Sequence, residues 1–501
     1  MAPVLSACVD GVEARPVEVE AALAQGLPSF TIVGLTDRAV QEARERVKAA
    51  VGSSGFAFPQ RRLVVNLAPA QMPKEGSSFD TAIAVAVLRA SGVDGLDGGR
   101  PGFIGELGLD GSIRRVRGAL ALSLSLARAG ATSLFVPAAN ADEAACARVP
   151  VHPVTRLEQV VKHLRGEELV LCHEPSPRRG GEPRPPLDLL DIQQQETGKR
   201  ALEIAAAGGH HLLLTGPPGA GKSMLARAMA GLLPDLSDEE SQEVTMIHSV
   251  GGLWAGGGLI ARPPARSPHH SISSAGLLGG GTVFRPGEVT LAHRGLLILD
   301  ELPEFQRHCL EALREPLEDG WLRLSRAAGT RHLPATFTMV ATSNPCPCGA
   351  ATTDRAGRRR DCNCPPEVVA RYQRRISGPL RDRMDLVVEV LPVRLRGITA
   401  TVAGAESSEV VRERVAAARH RQEARQGPGR LNHSLHAREL ERHCPLSPKT
   451  AALLGRVADT YSLSGRGFHA ALRVARSIAD LAGSDAIEEQ HLLEACTYRA
   501  A

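Results

Sequence analysis

His210–Ser223 reads HHLLLTGPPGAGKS, and this stretch decides the fold. Leu212, Leu213, Leu214 and Thr215 give a short buried-strand signal, and SMLARAMAGLL after the glycine-rich turn repeats apolar residues at helical spacing. Strand, Gly-x-x-x-x-Gly-Lys-Ser and helix, in that order, are the context of a phosphate-binding loop. Gly216, Gly219 and Gly221 let the backbone curl through Pro217, Pro218 and Ala220 so that successive N–H groups face an anion. The helix that follows adds its positive dipole end. Lys222 is placed to reach the β- and γ-phosphates, and the Ser223 hydroxyl to sit on Mg²⁺. The stretch reads as a nucleotide site, with ATP and Mg²⁺ the expected cofactors.

Composition bounds what surrounds it. At 501 residues the chain is too long for one ordinary core, so two to four domains are expected. Apolar content of 43% and charged content of 23% match soluble globular averages. No apolar run approaches the length of a membrane span, and MAPVLSACVDGVEARP lacks a basic segment followed by an apolar one. The reading therefore expects a cytoplasmic chain with no membrane partner. A net charge of +4 leaves any nucleic-acid surface to local patches.

A second apolar strand signal, Leu296–Leu299, ends in Asp300-Glu301. An acidic pair at the carboxyl end of a buried parallel strand lies beside a phosphate site. There Asp300 would hold the Mg²⁺ shell and Glu301 polarise the attacking water. The Ser223–Asp300 interval includes ARPPARSPHHSISSAGLLGGGTVFRPGEV, too rich in glycine and proline for one regular helix. GWLRLSRAAGTRHLPATF sets Leu322 and Leu324 against Arg323 and Ser325 before a glycine-containing turn, a hairpin signal. Cys346-Pro-Cys348 and Cys362-Asn-Cys364 flank an arginine-rich loop. They read as a tetrahedral Zn²⁺ site, with reduced free thiols and redox chemistry as the alternatives.

The ends of the chain read differently. Residues 1–170 alternate short strands (FTIVGL, RLVVNLAP, SLFVPAA) with helices such as FDTAIAVAVLRASG, an α/β pattern. Residues 171–187 are dense in proline, glycine and charge and read as a linker. Residues 188–395 form the ATPase core, and 396–501 read as a helical lid punctuated by glycine and proline.

GHHLLLTGPPGAGKSMLARAM, LLGGGTVFRPGEVTLAHRGLLILDELPEF, SNPCPCG and RISGPLRDRMDL together resemble the YifB/ComM-like, Mg-chelatase-related AAA+ ATPases. The resemblance implies a hexameric ring, and for the ComM branch DNA helicase and branch-migration work during natural transformation. It implies that Asn344, ending the apolar strand FTMVATSN, is sensor 1 and helps position the water. It puts the arginine finger at Arg383, with Arg381 as competitor, and sensor 2 at Arg466, with Arg473 as second choice. It makes the glycine- and proline-rich stretch an insert toward the ring pore, where Arg262, Arg266, His269 and His270 could touch substrate. It assigns the hairpin arginines Arg323, Arg326 and Arg331 to single-stranded or branched DNA as phosphate contacts.

The amino-terminal segment KEGSSFDTAIAVAVL resembles the proteolytic domain of Lon, with Ser78 at the place of the nucleophile. The lysine base would fall in Arg117–Ala121, which contains none, and arginine stays protonated. The domain is therefore read as Lon-like in fold and silent as a peptidase. Two other functions remain on the table: a chelatase motor subunit driving metal insertion into a tetrapyrrole, and an ATP-dependent protease.

Overall fold

The structure is a computed structural model, and it describes residues 3–35, 37–174, 176, 187–281, 284–326, 329–350, 362–392, 405–460 and 463–499. The chain divides into two compact units, and their boundaries do not follow the chain order.

The first unit comprises Met1–Arg179, Asp238–Ala261 and Phe284–Pro286. Its centre is a seven-stranded sheet in the order Ser29–Val33, Arg62–Ala68, Glu13–Ala24, Val4–Asp10, Gly102–Phe103, Leu134–Pro137, Val151–Val154. The strands Val4–Asp10, Glu13–Ala24 and Arg62–Ala68 pair antiparallel, and the remaining neighbours are parallel. Side chains of a strand alternate between the faces of a sheet, so Val4 and Cys8 enter one core and Leu5 and Ala7 another. The first core packs helices Arg38–Ser53 and Asp80–Ala90, and the second packs Ala119–Arg128. Inside the first, Asp80 is 1% exposed and forms a bidentate pair with Arg46 (2.7 and 3.1 Å).

The second unit comprises Gly180–Ser237, Arg262–Val283 and Gly287–Ala501. Five parallel strands lie in the order Ala265–Arg266, Leu296–Leu299, Thr338–Ser343, Leu212–Thr215, Leu386–Glu389. In chain order this is 2-3-4-1-5, so the first strand lies between the fourth and the fifth. The strand order reverses there, and the carboxyl ends of strands at such a point form a ligand crevice. A hairpin, Trp321–Arg326 and Gly329–Pro334, precedes the fourth strand. Helices Ser408–Gln426, Ala437–His443, Pro448–Thr460, Gly465–Leu481 and Glu489–Thr497 form the carboxyl-terminal part and share a hydrophobic core with the sheet.

One expectation needs correction. Residues 188–395 are not a single folding unit, because helix Asp238–Gly251 and the residues to Ala261 belong with the amino-terminal unit. Met246 and Leu259 pack against Leu120 and Leu124, and the Gly118 amide donates to the Ser249 carbonyl (3.3 Å). Helix periodicity reveals an apolar face but not which core receives it. Of the expected linker, residues 175 and 177–186 lie outside the described residues.

Candidate functional site: a phosphate cradle and a four-cysteine cluster

The strand Leu212–Thr215 is apolar because its first three side chains are buried. Its register aligns Thr215 with Ser343 on one side and Glu389 on the other. The loop that follows starts at a close approach: a Cβ on Gly216 would lie 2.3 Å from the Val390 carbonyl oxygen. Gly219 and Gly221 need glycine for a different reason, since their φ angles are +76° and +93° with open space around them. The helix Lys222–Ala228 then begins and tightens into a 3-10 turn at Met229–Leu232.

Lys222 is only 8% exposed, and its Nζ donates to the carbonyls of Gly216 (2.7 Å) and Pro217 (2.8 Å) and to Asn344 Oδ1 (3.0 Å). Burial lowers its pKa, opposed by the negative charges of Asp300 and Glu301. The Ser223 hydroxyl lies 3.0 and 2.9 Å from the two carboxylate oxygens of Asp300. Thr342 steadies both acids, donating its hydroxyl to Asp300 (2.5 Å) and accepting the Glu301 amide (2.9 Å). Glu301 itself adopts φ +56°, a strained conformation for a residue with a side chain, and leaves its carboxylate half exposed. His270 Nδ1 lies 3.9 Å from that carboxylate.

Lys222 is thus bonded to Asn344 and its neighbour Ser223 to Asp300, with Glu301 next to Asp300 in the chain. Gly216, Pro217, Pro218, Gly219, Ala220 and Gly221 form the wall. Sequence reasoning missed Gln195, whose amide donates to the carbonyls of Ala220 (3.0 Å) and Leu391 (2.8 Å) and so clamps the loop to the end of the fifth strand. A glutamine in a helix-leading QQQE run carries no signal of this.

Arg383 and Arg466 lie elsewhere. Arg383 donates to the Pro379 carbonyl (2.7 Å) and pairs with one Glu318 oxygen, while Arg466 takes the other at 2.8 Å. Among the described residues, neither bonds to the cradle of its own chain. Arg473 binds Asp385 Oδ1 (3.3 Å) and the carbonyls of His433 and Leu435. Asp385, 1% exposed, also receives His210 Nδ1 (3.0 Å) and His433 Nδ1 (2.5 Å). Burial raises its pKa, but the charges of His433 and Arg473 and the hydrogen bonds of His210 and His433 outweigh it and hold the carboxyl well below the usual range. His210 Nε2 reaches Ser477 (2.7 Å) in helix Gly465–Leu481, so one carboxylate links the strand before the cradle, the Arg383 segment and the helical part.

Arg266 occupies the edge strand and forms a bidentate pair with Glu288 (2.6 and 2.8 Å). Arg323 approaches Glu315 (3.8 Å), and Arg331 opposes Leu324 across the hairpin. The Arg326 side chain lies outside the described residues.

The four cysteines converge. Cys346 Sγ lies 3.2 Å from Cys348 and 3.6 Å from Cys362, Cys348 lies 3.6 Å from Cys362, and all four sulfurs, Cys364 included, fall within 4.8 Å of one another. Tetrahedral Zn–S bonds near 2.3 Å put sulfurs about 3.8 Å apart, so the donor set fits zinc in type, number and spacing. The Ala350 amide, then the neighbouring thiols, pull Cys348 down to about 6, while Cys362 is pushed up to about 12 and Cys364 is raised, so the cluster concentrates its negative charge on Cys348. A Cβ on Gly349 would lie 2.3 Å from Pro218 Cδ, so this loop abuts the phosphate loop directly. Residues 351–361 between the pairs lie outside the described residues.

In the amino-terminal unit, the Ser78 hydroxyl donates to the Ala7 carbonyl (3.3 Å). Among the described residues no basic side chain bonds to it.

Comparison with known proteins gives the arrangement its relatives. Residues 188–398 match the magnesium chelatase subunit ChlI family, 19–140 a family described as subunit ChlI of Mg-chelatase, and 405–499 the ChlI C-terminal family. YifB of Escherichia coli (strain K12) is 42% identical over 495 residues, covering 98% of this chain and 95% of that protein. The competence protein ComM of Haemophilus influenzae is 40% identical over 511 residues, covering 100% and 97%. The chloroplastic magnesium-chelatase subunit ChlI of Nicotiana tabacum is 26% identical over 156 residues, 27% of this chain and 37% of that protein. Near-complete alignment to the first two, with a cradle of Lys222, Ser223, Asp300 and Asn344, shows that the chain belongs to the YifB/ComM-like, Mg-chelatase-related family of AAA+-type ATPases.

Proposed function

We propose that the chain is an ATP-hydrolysing, Mg²⁺-dependent motor that works in the cytoplasm as a homohexameric ring on single-stranded or branched DNA. Its reaction is helicase or branch-migration work in recombination during natural transformation. The observation that carries the reading is a division of labour: Lys222, Ser223, Asp300 and Asn344 meet in one cradle, while Arg383 and Arg466 meet on Glu318. Among the described residues the site has lysine, hydroxyl and acids but no guanidinium bonded to them, which supports one supplied by a neighbouring subunit.

The backbone N–H groups of the loop bind the phosphates, and Lys222 turns from its carbonyl partners to the β- and γ-oxygens. Ser223 and Asp300 would hold Mg²⁺, which neutralises charge on those oxygens when bound. Glu301 accepts the proton of the attacking water, and Asn344 keeps that water in line. Arg383 of the neighbouring subunit stabilises the charge that develops on the transferring phosphoryl group, and Arg466 is the second guanidinium at that boundary. Cys346, Cys348, Cys362 and Cys364 would hold Zn²⁺ as a structural staple for a loop without an apolar core. Arg323, Arg326 and Arg331 supply phosphate contacts. The amino-terminal unit serves as a Lon-like, peptidase-silent assembly domain.

The test is ATPase activity of wild type and Lys222→Ala, with and without forked DNA, together with gel retardation of the fork at low salt. DNA-stimulated turnover lost in the variant is expected. Absence of both stimulation and retardation removes DNA from the proposal. The match of residues 188–398 and 405–499 to chelatase subunit families favours one other reading, a motor for metal insertion into a tetrapyrrole. Stimulation by a chelatase partner instead of DNA would establish it. Metal analysis of the purified protein reads the cysteine site separately.

A further inference from the structure

The hairpin before the fourth strand has two unlike faces. Pairing sets Leu322 opposite Leu333, both buried, on the inner face. The other face carries Trp321 opposite Pro334, Arg323 opposite His332 and Ser325 opposite Thr330. Period-two alternation predicts that these six share one side, and the Ser325–Thr330 hydroxyl contact at 3.1 Å agrees. Trp321, Arg323, Ser325, Thr330 and His332 are all exposed, and none of the six is acidic.

Trp321 is the anomaly on this face. It is 52% exposed, whereas Trp254, the only other tryptophan, is 8% exposed and donates its indole N–H to the Gly258 carbonyl (3.2 Å). An indole is a large apolar surface that gains from being covered. A protein partner would be met by a wider apolar patch, with charge pushed to the rim. Among the described residues of this face Pro334 is the one apolar neighbour of the indole, with a guanidinium one pleat repeat along its strand and an imidazole diagonally across. A flat π surface with cations at nucleotide-scale spacing and hydroxyls beyond is the chemistry of a stacked base with its phosphate.

We propose, resting on the DNA reading above, that Trp321 is a stacking platform for an unpaired base of single-stranded DNA, with Arg323 and His332 on the adjoining phosphates. The hairpin then distinguishes single strands from duplex, because bases inside a duplex offer no free face to an indole. Stacking is indifferent to base identity, so the contact adds affinity for single strands without sequence preference.

The buried Trp254 gives a constant background, which makes the test direct. Tryptophan emission of the full chain is titrated with oligo(dT) and with a blunt duplex of the same length, while gel retardation reports binding independently. Oligo(dT) is expected to quench emission and the duplex to leave it unchanged. Trp321→Ala is expected to weaken oligo(dT) binding roughly 5- to 150-fold, and Trp321→Phe, which keeps a ring, to restore most of it. Circular dichroism checks that both variants fold. Oligo(dT) binding without quenching, or an alanine variant within twofold of wild type, overturns the stacking role and leaves the DNA reading standing. Emission that follows protein concentration without DNA assigns Trp321 to a subunit boundary and likewise overturns it. If no DNA is retarded at all, the DNA reading falls and takes this inference with it.

Discussion

Each unit of the molecule holds a lysine and a serine close together in sequence, and the two pairs behave differently. Lys74 is fully buried, its Nζ donates to the Pro69 carbonyl, and Ser78 donates to the Ala7 carbonyl. Lys222 is also buried, but Asp300 and Glu301 act on it and Asn344 Oδ1 accepts one of its hydrogen bonds. Desolvation lowers the pKa of both lysines. A displaced pKa therefore does not identify the working site. The glycine-formed curl, the paired acids and the strand-order reversal do.

That contrast can be attacked directly. The largest effect is expected from Arg383→Ala, which should reduce turnover by about 10³–10⁵ while ATP still binds. Mixing it with Lys222→Ala should restore part of the rate, because each variant supplies what the other lacks; a mixture as inactive as its parts would refute a shared site. Next, Lys222→Ala should lower kcat roughly 10²–10³-fold, by analogy with removal of one preorganised charge-stabilising donor. Lys74→Met should leave steady-state ATPase within about twofold, and a large loss would erase the distinction between the two lysines.

A further prediction concerns stability. Asp385→Asn leaves His433 and Arg473 without their carboxylate and should cost about 3–5 kcal/mol in chemical denaturation of the second unit. pH should act there too. Burial lowers the pKa of His210 and drives that of His211 well below 6.5, so the unfolded chain binds protons that the folded one refuses. Their contribution is fully present above about 6.5 and is lost as pH falls through the folded values, so denaturation midpoints should drop between pH 7.5 and 5. The smallest effect is expected from Ser78→Ala: the bond to Ala7 disappears, and ATPase and casein stability in the presence of ATP should stay as in wild type.

How much of this was legible in the sequence follows from distance along the chain. The cradle wall is a contiguous run, and Asp300-Glu301 ends an apolar strand, so local pattern suffices for both. The two C-x-C pairs announce a cluster because each pair is local, and the fold only has to bring two ends together. Three features had no local signature. Gln195 reaches a carbonyl 196 positions away. Asp385 gathers partners from His210, His433 and Arg473, which no periodicity connects. Glu318 sits in an ordinary charged helix end, yet it joins Arg383 to Arg466. The placement of Asp238–Ala261 was equally hidden, since an amphipathic helix does not name the surface it covers.

The Asp385 carboxylate has a mechanical consequence. It stands two residues beyond Arg383, is bonded to His210, two residues before the phosphate-loop strand, and is held by Arg473 of helix Gly465–Leu481. A tilt of that helix must either snap a buried ionic joint or drag the loop's root and the guanidinium's anchor along with it. On the role proposed for Arg383, the position of that helix and the position of Arg383 are then coupled within one subunit.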